Sequence, residues 1–146
     1  GTRKLPEFIC TRCDTSREIQ AVLEDSGTPD RARKSLGSAL GKANDACDAA
    51  DFLASSRLLK RAVSFLLKAA RKEANTTAIV DHSVMSIESM VSAKILEAEE
   101  KVGSTNRDVA KANRKFARAS EKENPRRAIV LFRRAYKLAV RAMSGG

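Results

Sequence analysis

Three cysteines, a single histidine and eighteen carboxylates are the side chains with which this chain could do covalent or metal chemistry. Cys10 and Cys13 form a Cys-x-x-Cys pair. Such a pair can supply half of a zinc site, but zinc needs a second half of Cys or His at matching spacing. The only histidine, His82, stands alone far along the chain. No His follows the pair, as haem attachment would need, and no βαβ pattern follows it, as a thioredoxin-like role would need. A redox or zinc role for Cys10 and Cys13 is thus the weakest of the readings. Disulfide formation is favoured, tying the N-terminal arm to the second helix through Cys47 and either Cys10 or Cys13. Cys47 lies among alanines and could equally pack as a small apolar residue.

Other chemical constellations dissolve on inspection. Asp81-His82-Ser83 holds the residue types of a hydrolytic triad. Neighbours in a chain cannot converge on one another as a triad requires, so His82 reads as a linker residue. Glu97 and Glu100 share a helical face while Glu99 points away, which does not make a carboxylate metal site. Asn75-Thr76-Thr77 fits a glycosylation sequon, relevant only to a secreted eukaryotic protein. No catalytic residue, cofactor site or metal site is assigned, and no enzymatic activity is expected.

Charge is the remaining resource. The chain carries a net charge of +10, unevenly distributed. From Arg107 to Arg141 twelve Lys or Arg stand against three acids, and from Phe52 to Lys72 six basic residues stand against none. Helical spacing gathers Lys111, Arg114, Lys115, Arg118 and Lys122 along one face of the fifth helix. Arg126, Arg133, Lys137 and Arg141, with Arg127 and Arg134 beside them, line the outer side of the sixth. Such a surface attracts polyanions through long-range, salt-dependent forces. The competing possibility is a solvated face paired with the acids of the second and fourth helices. Nucleic acid is not favoured as partner: single-strand binders stack bases on aromatics, and the basic faces offer only Tyr136. Zinc-finger, basic-zipper and RNP patterns are missing from the sequence. Duplex binding would therefore rest on phosphate contacts without sequence specificity.

The elements that must hold these residues are helical. Hydrophobic residues make up 42% and charged residues 32%, with three Pro, seven Gly and no Trp. The core must therefore be built of Ala, Leu, Val, Ile and Met. A 3.6-residue period runs through almost every segment and sustained alternation through none. The expected helices are about Ser16 to Asp25, one capped by Thr28 with Pro29 first, about Leu53 to Glu73, about Ser83 to Val102, one capped by Ser104 or Thr105, and one opened by Asn124-Pro125. Gly37 and Gly41, four apart on the second helix, predict a close helix–helix crossing. Met85 and Met90 are expected in the core. No apolar run is long enough to span a bilayer.

The pattern also repeats. Lys42-Ala43-Asn44 returns as Lys111-Ala112-Asn113, and Leu58-Leu59-Lys60-Arg61-Ala62 as Leu131-Phe132-Arg133-Arg134-Ala135. The offset changes only at the loop Ser120 to Pro125, as duplication of a structural unit would leave it. The expected architecture is all-α: five or six helices in two pseudo-repeated three-helix units, packed as a helical bundle. Residues 1–73 form the first unit with its cysteine-bearing arm, 74–83 a linker, and 84–146 the basic second unit.

Ala110-Lys111-Ala112-Asn113, Pro125-Arg126-Arg127-Ala128-Ile129 and Phe132-Arg133-Arg134-Ala135 resemble the FIMAH-type module, a three-helix unit of secreted multidomain prokaryotic proteins. The resemblance covers roughly the last forty residues and, more loosely, Ala39 to Ala70. In place of the glycine-asparagine turn of such modules the chain has Glu121 to Pro125. The resemblance implies an accessory or attachment role outside the cell. The expected function is a non-enzymatic structural or adaptor module, holding an acidic protein or anionic polymer on its basic face. The alternative is an intracellular nucleic-acid-associated protein using the same face.

Overall fold

The computed structural model describes residues 13–145, which form six α-helices and no strand. They are α1 (Asp14–Glu24), α2 (Asp30–Asp48), α3 (Phe52–Arg71), α4 (Thr77–Val102), α5 (Arg107–Ser120) and α6 (Pro125–Ser144). The chain divides into two compact units, one ending at Ser86 and the other beginning at Ile87. The protein is thus a helical-bundle chain of the all-α class. The boundary lies inside α4, and the expected linker 74–83 is helical from Thr77 onward. Asp81-His82-Ser83 imitates a helix start, but Ile79 and Val80 are buried and extend the apolar stripe upstream. The buried Thr76 donates its hydroxyl to Leu66 O at 2.8 Å, which fixes the connection from α3.

In the first unit, α2 and α3 pack as an antiparallel hairpin. Asp51 caps α3 by accepting from the amide of Ala54, and Ser55 Oγ donates to Ala46 O at 2.8 Å, so the hairpin end is closed from both sides. The buried seam draws Ala32, Leu36, Ala39, Ala43 and Ala46 from α2 and Leu59, Ala62, Val63, Leu66 and Ala69 from α3. The mixture of small and large side chains on both helices lets them interlock closely. Gly37 and Gly41 take no part. A Cβ built on either meets nothing within 4 Å among the described residues, so the predicted close crossing is absent there.

At 11 residues α1 is too short to be stable alone in water, so its position depends on ties. Cys13, at its start, is disulfide-bonded to Cys47 near the end of α2, with the two Cα atoms 4.8 Å apart. Cys10, the other partner considered from the sequence, lies outside the described residues. Thr15 Oγ1 meets Ser83 Oγ at 3.0 Å in the interior, and Ser83 donates on to Ile79 O at 2.9 Å. At the other end Thr28 does not cap α2. Its hydroxyl donates back to Val22 O at 2.6 Å, and Arg33 Nη1 reaches Leu23 O at 2.6 Å. Both satisfy carbonyls that the end of α1 leaves open.

In the second unit, α4 from Ile87 onward accompanies the α5–α6 hairpin. Gly103, at φ +90°, ends α4 in a left-handed conformation that a side chain would strain. The cap of α5 is Asn106, whose side chain accepts from the amides of Asp108 and Val109, rather than Ser104 or Thr105. Asn124 caps α6 ahead of Pro125 as expected. The core is Ile87, Val91, Ile95 and Ala98 of α4, Val109, Ala112 and Ala119 of α5, and Ala128, Ile129, Leu131, Phe132, Ala135, Ala139 and Ala142 of α6. Phe116 stands edge-on to Phe132, ring centres 5.3 Å apart. Met90 is buried here, but Met85, in the first unit, is 60% exposed and does not belong to a core. Among the described residues no helix is long and apolar enough to cross a membrane.

Candidate anion-binding surface

The α5–α6 hairpin carries all eleven of the basic residues singled out from the sequence. Arg114, Arg118, Lys122, Arg126, Arg127, Arg134, Lys137 and Arg141 are exposed, and Lys111, Lys115 and Arg133 are half-buried. The buried stripe Val109, Ala112, Ala119 turns one side of α5 inward. At 100° per residue, Arg114 then points outward, with Lys111, Lys115 and Arg118 turned toward the flank next to α6, and Lys122 lies in the turn that follows. Arg107, exposed on the same outward side, belongs with them, as the same helical spacing indicates.

Among the described residues the glutamates of α4 form no salt bridge with this surface. Glu99 of α4 accepts from Asn113 Nδ2 at 3.0 Å, and Glu88 from the hydroxyl of Ser120 at 3.4 Å. Both neutral donors lie on the flank of α5 facing α4, so the carboxylates of α4 are met there by uncharged groups. Glu97 is paired within its own helix, 3.0 Å from Lys94 Nζ and 3.8 Å from Lys101 Nζ. The hydrogen bond from Lys94 holds its carboxyl below the ordinary glutamate value, against the opposing effect of partial burial. Lys94 is only 16% exposed and sits 5.6 Å from the centre of the Tyr136 ring, which supplies a second attraction for the ammonium.

The single salt bridge that α5 or α6 makes with a carboxylate among the described residues is that of Arg141 with Asp108. The remaining cations Lys111, Arg114, Lys115, Arg118, Lys122, Arg126, Arg127, Arg134 and Lys137 make no salt bridge among those residues. Of the competing possibility left open by the sequence, a solvated face paired with the acids of the second and fourth helices, salt bridges from these cations to α4 are not seen among the described residues. What the arrangement offers is a broad cationic field on rigid helices. A polyanion is attracted to such a field at long range and releases counterions on contact.

The other candidate residues fall elsewhere. His82 is a helical residue of α4 in the first unit, its Nδ1 3.1 Å from Glu18 Oε2, so it joins α4 to α1 instead of lying in a linker. Asn75 and Thr77 of the sequon are exposed, with the buried Thr76 between them. Among the described residues no group of three His, Cys, Asp or Glu side chains could hold a metal ion. Compared with protein-family models, curated proteins and solved structures, the chain matches none of them.

Proposed function

We propose that this protein is a non-enzymatic structural or adaptor module that holds an acidic protein or anionic polymer on the α5–α6 hairpin. One observation carries the reading: Lys111, Arg114, Lys115, Arg118, Lys122, Arg126, Arg127, Arg134 and Lys137 make no salt bridge among the described residues, although four glutamates stand on the adjoining helix α4. Net repulsion among unpaired like charges destabilises a folded chain, and the cost is offset when an anion is bound. Export to an oxidising compartment is consistent with the Cys13–Cys47 bond, since such bonds persist there and are rare in reducing cytosol. The internal echo of Lys42-Ala43-Asn44 in Lys111-Ala112-Asn113 supports an origin of the two halves by duplication.

The test is a titration of the intact protein with polyglutamate, heparin and duplex DNA, each at two salt concentrations. Binding of an acidic polymer that weakens steeply with salt is expected. Failure of every probe at low ionic strength would remove the reading. Preferential binding of DNA over both other polymers would move the partner to nucleic acid.

A further inference from the structure

Resting on that reading, a more specific partner follows from the register of the hairpin. The Asp108–Arg141 salt bridge fixes how α5 and α6 lie against each other. Stepping seven residues along each antiparallel helix brings Lys115 level with Arg134; seven more reach Arg127 on α6 and Lys122 in the turn just past the end of α5. The first two rungs are separated by two helical turns, about 10.5 Å. The first rung joins opposite charges. The other two set like charges against each other, along the outer side of the seam between the helices.

The positions between the rungs keep the same face. Lys111 and Arg118 on α5, and Lys137 and Val130 on α6, fall three or four residues from the rung positions. Both walls of the seam therefore follow a three-four spacing, with rises alternating between about 4.5 and 6 Å. That is the spacing at which one helix presents side chains to another laid alongside it. We infer that the α5–α6 seam receives an acidic amphipathic helix from a partner protein, its Asp or Glu residues repeating at three and four. Cations along both walls match carboxylates along both edges of such a helix. The half-buried Val130, set among the cations, favours an occupant that also brings an apolar side chain. A sugar or phosphate chain has no use for it. The absence of an exposed aromatic platform on the seam further separates this site from those that stack single-stranded bases.

The experiment uses the intact protein and three probes at low salt: a 21-residue peptide with Glu at heptad-spaced positions, a scrambled peptide of equal composition, and heparin. The striped peptide is expected to bind roughly tenfold tighter than the scrambled one and to gain helical circular dichroism on binding. Lys115→Glu is expected to abolish that preference while raising the thermal midpoint of the free protein, because it converts the second rung into a copy of the first. Equal affinity for both peptides, or tighter heparin binding, overturns the helix assignment and leaves the basic surface standing. A lowered midpoint for Lys115→Glu overturns the register. Failure of all three probes removes the surface as well.

Discussion

Asp108 and Arg141 meet through two hydrogen bonds, Nε to Oδ2 at 3.1 Å and Nη2 to Oδ1 at 2.7 Å, joining the first turn of α5 to the last turn of α6. Planar two-point contact of this kind specifies relative position as well as charge. Because both residues lie at the ends of their helices, the bond sets the sliding register of the whole hairpin.

Arg141 holds the Asp108 carboxyl below the ordinary aspartate value, chiefly through these hydrogen bonds. A depressed carboxylate contributes stability that is complete above its unfolded pKa and is lost as pH falls through the lower folded one. Carbon-detected titration is therefore expected to place the midpoint of Asp108 below that of an ordinary aspartate, and Arg141→Gln to raise it. The same experiment with Lys94→Met is expected to raise the midpoint of Glu97, whose carboxyl Lys94 holds down. Asp108→Asn removes the carboxylate that pairs with Arg141 on the seam. It should steepen the salt dependence of polyanion binding by about one released counterion.

Cys13 and Cys47 close a loop of 34 residues. In the chain-entropy account, a loop of that length stabilises by about 3–4 kcal/mol. Reduction of the intact protein, or the double change Cys13→Ser and Cys47→Ser, is expected to lower unfolding stability in urea by that order. Probes on α1 should respond first, since a short helix loses one of its principal ties.

Glu73 and Gly103 make a reciprocal pair. Both have positive φ, +70° and +90°, but only the second is glycine. Glu73→Gly relieves a left-handed side-chain conformation while giving up the exposed contact with Arg31 at 2.8 Å. A net gain of up to about 1 kcal/mol is expected. Gly103→Ala introduces the strain that Glu73 already bears, and should cost about 1 kcal/mol or more. Thermal denaturation of the two variants checks both signs.

Asn106 and Asn124 cap α5 and α6 through their side chains. Replacing either by Ala is expected to cost about 1 kcal/mol, whereas Thr105→Ala should be nearly silent. Equal losses at Thr105 and Asn106 in chemical denaturation would contradict the cap seen here.

The cap of α5 also shows where sequence reasoning stops. Ser104, Thr105 and Asn106 are all residue types that cap helices, so composition could not choose among them. Gly103 leaves α4 in a left-handed turn, and three residues are consumed before the chain points along α5. Only the third can then reach the open amides. At α6 the ambiguity vanishes because Pro125 permits a single start. The start of α4 is not legible in the sequence for a related reason: Ser83, which looks like a cap, spends its hydroxyl on Ile79 O and Thr15 in the interior. The basic stripe itself was legible, since helical spacing alone collects Lys111 to Lys122 on one side. That it makes no salt bridge to α4 among the described residues was not, because it depends on Asn113 and Ser120 being residues that α4 meets.

The glycines of α2 are a matter of surface and not of packing. Gly37 and Gly41 look out on open space among the described residues, on the opposite side from Ala39 and Ala43. Nothing there excludes a methyl group, while each glycine weakens the helix by about 1 kcal/mol relative to alanine. The second helix is accordingly kept softer than its own contacts require. Its midsection is the part of the first unit where stiffness could be raised by design without disturbing a single neighbour.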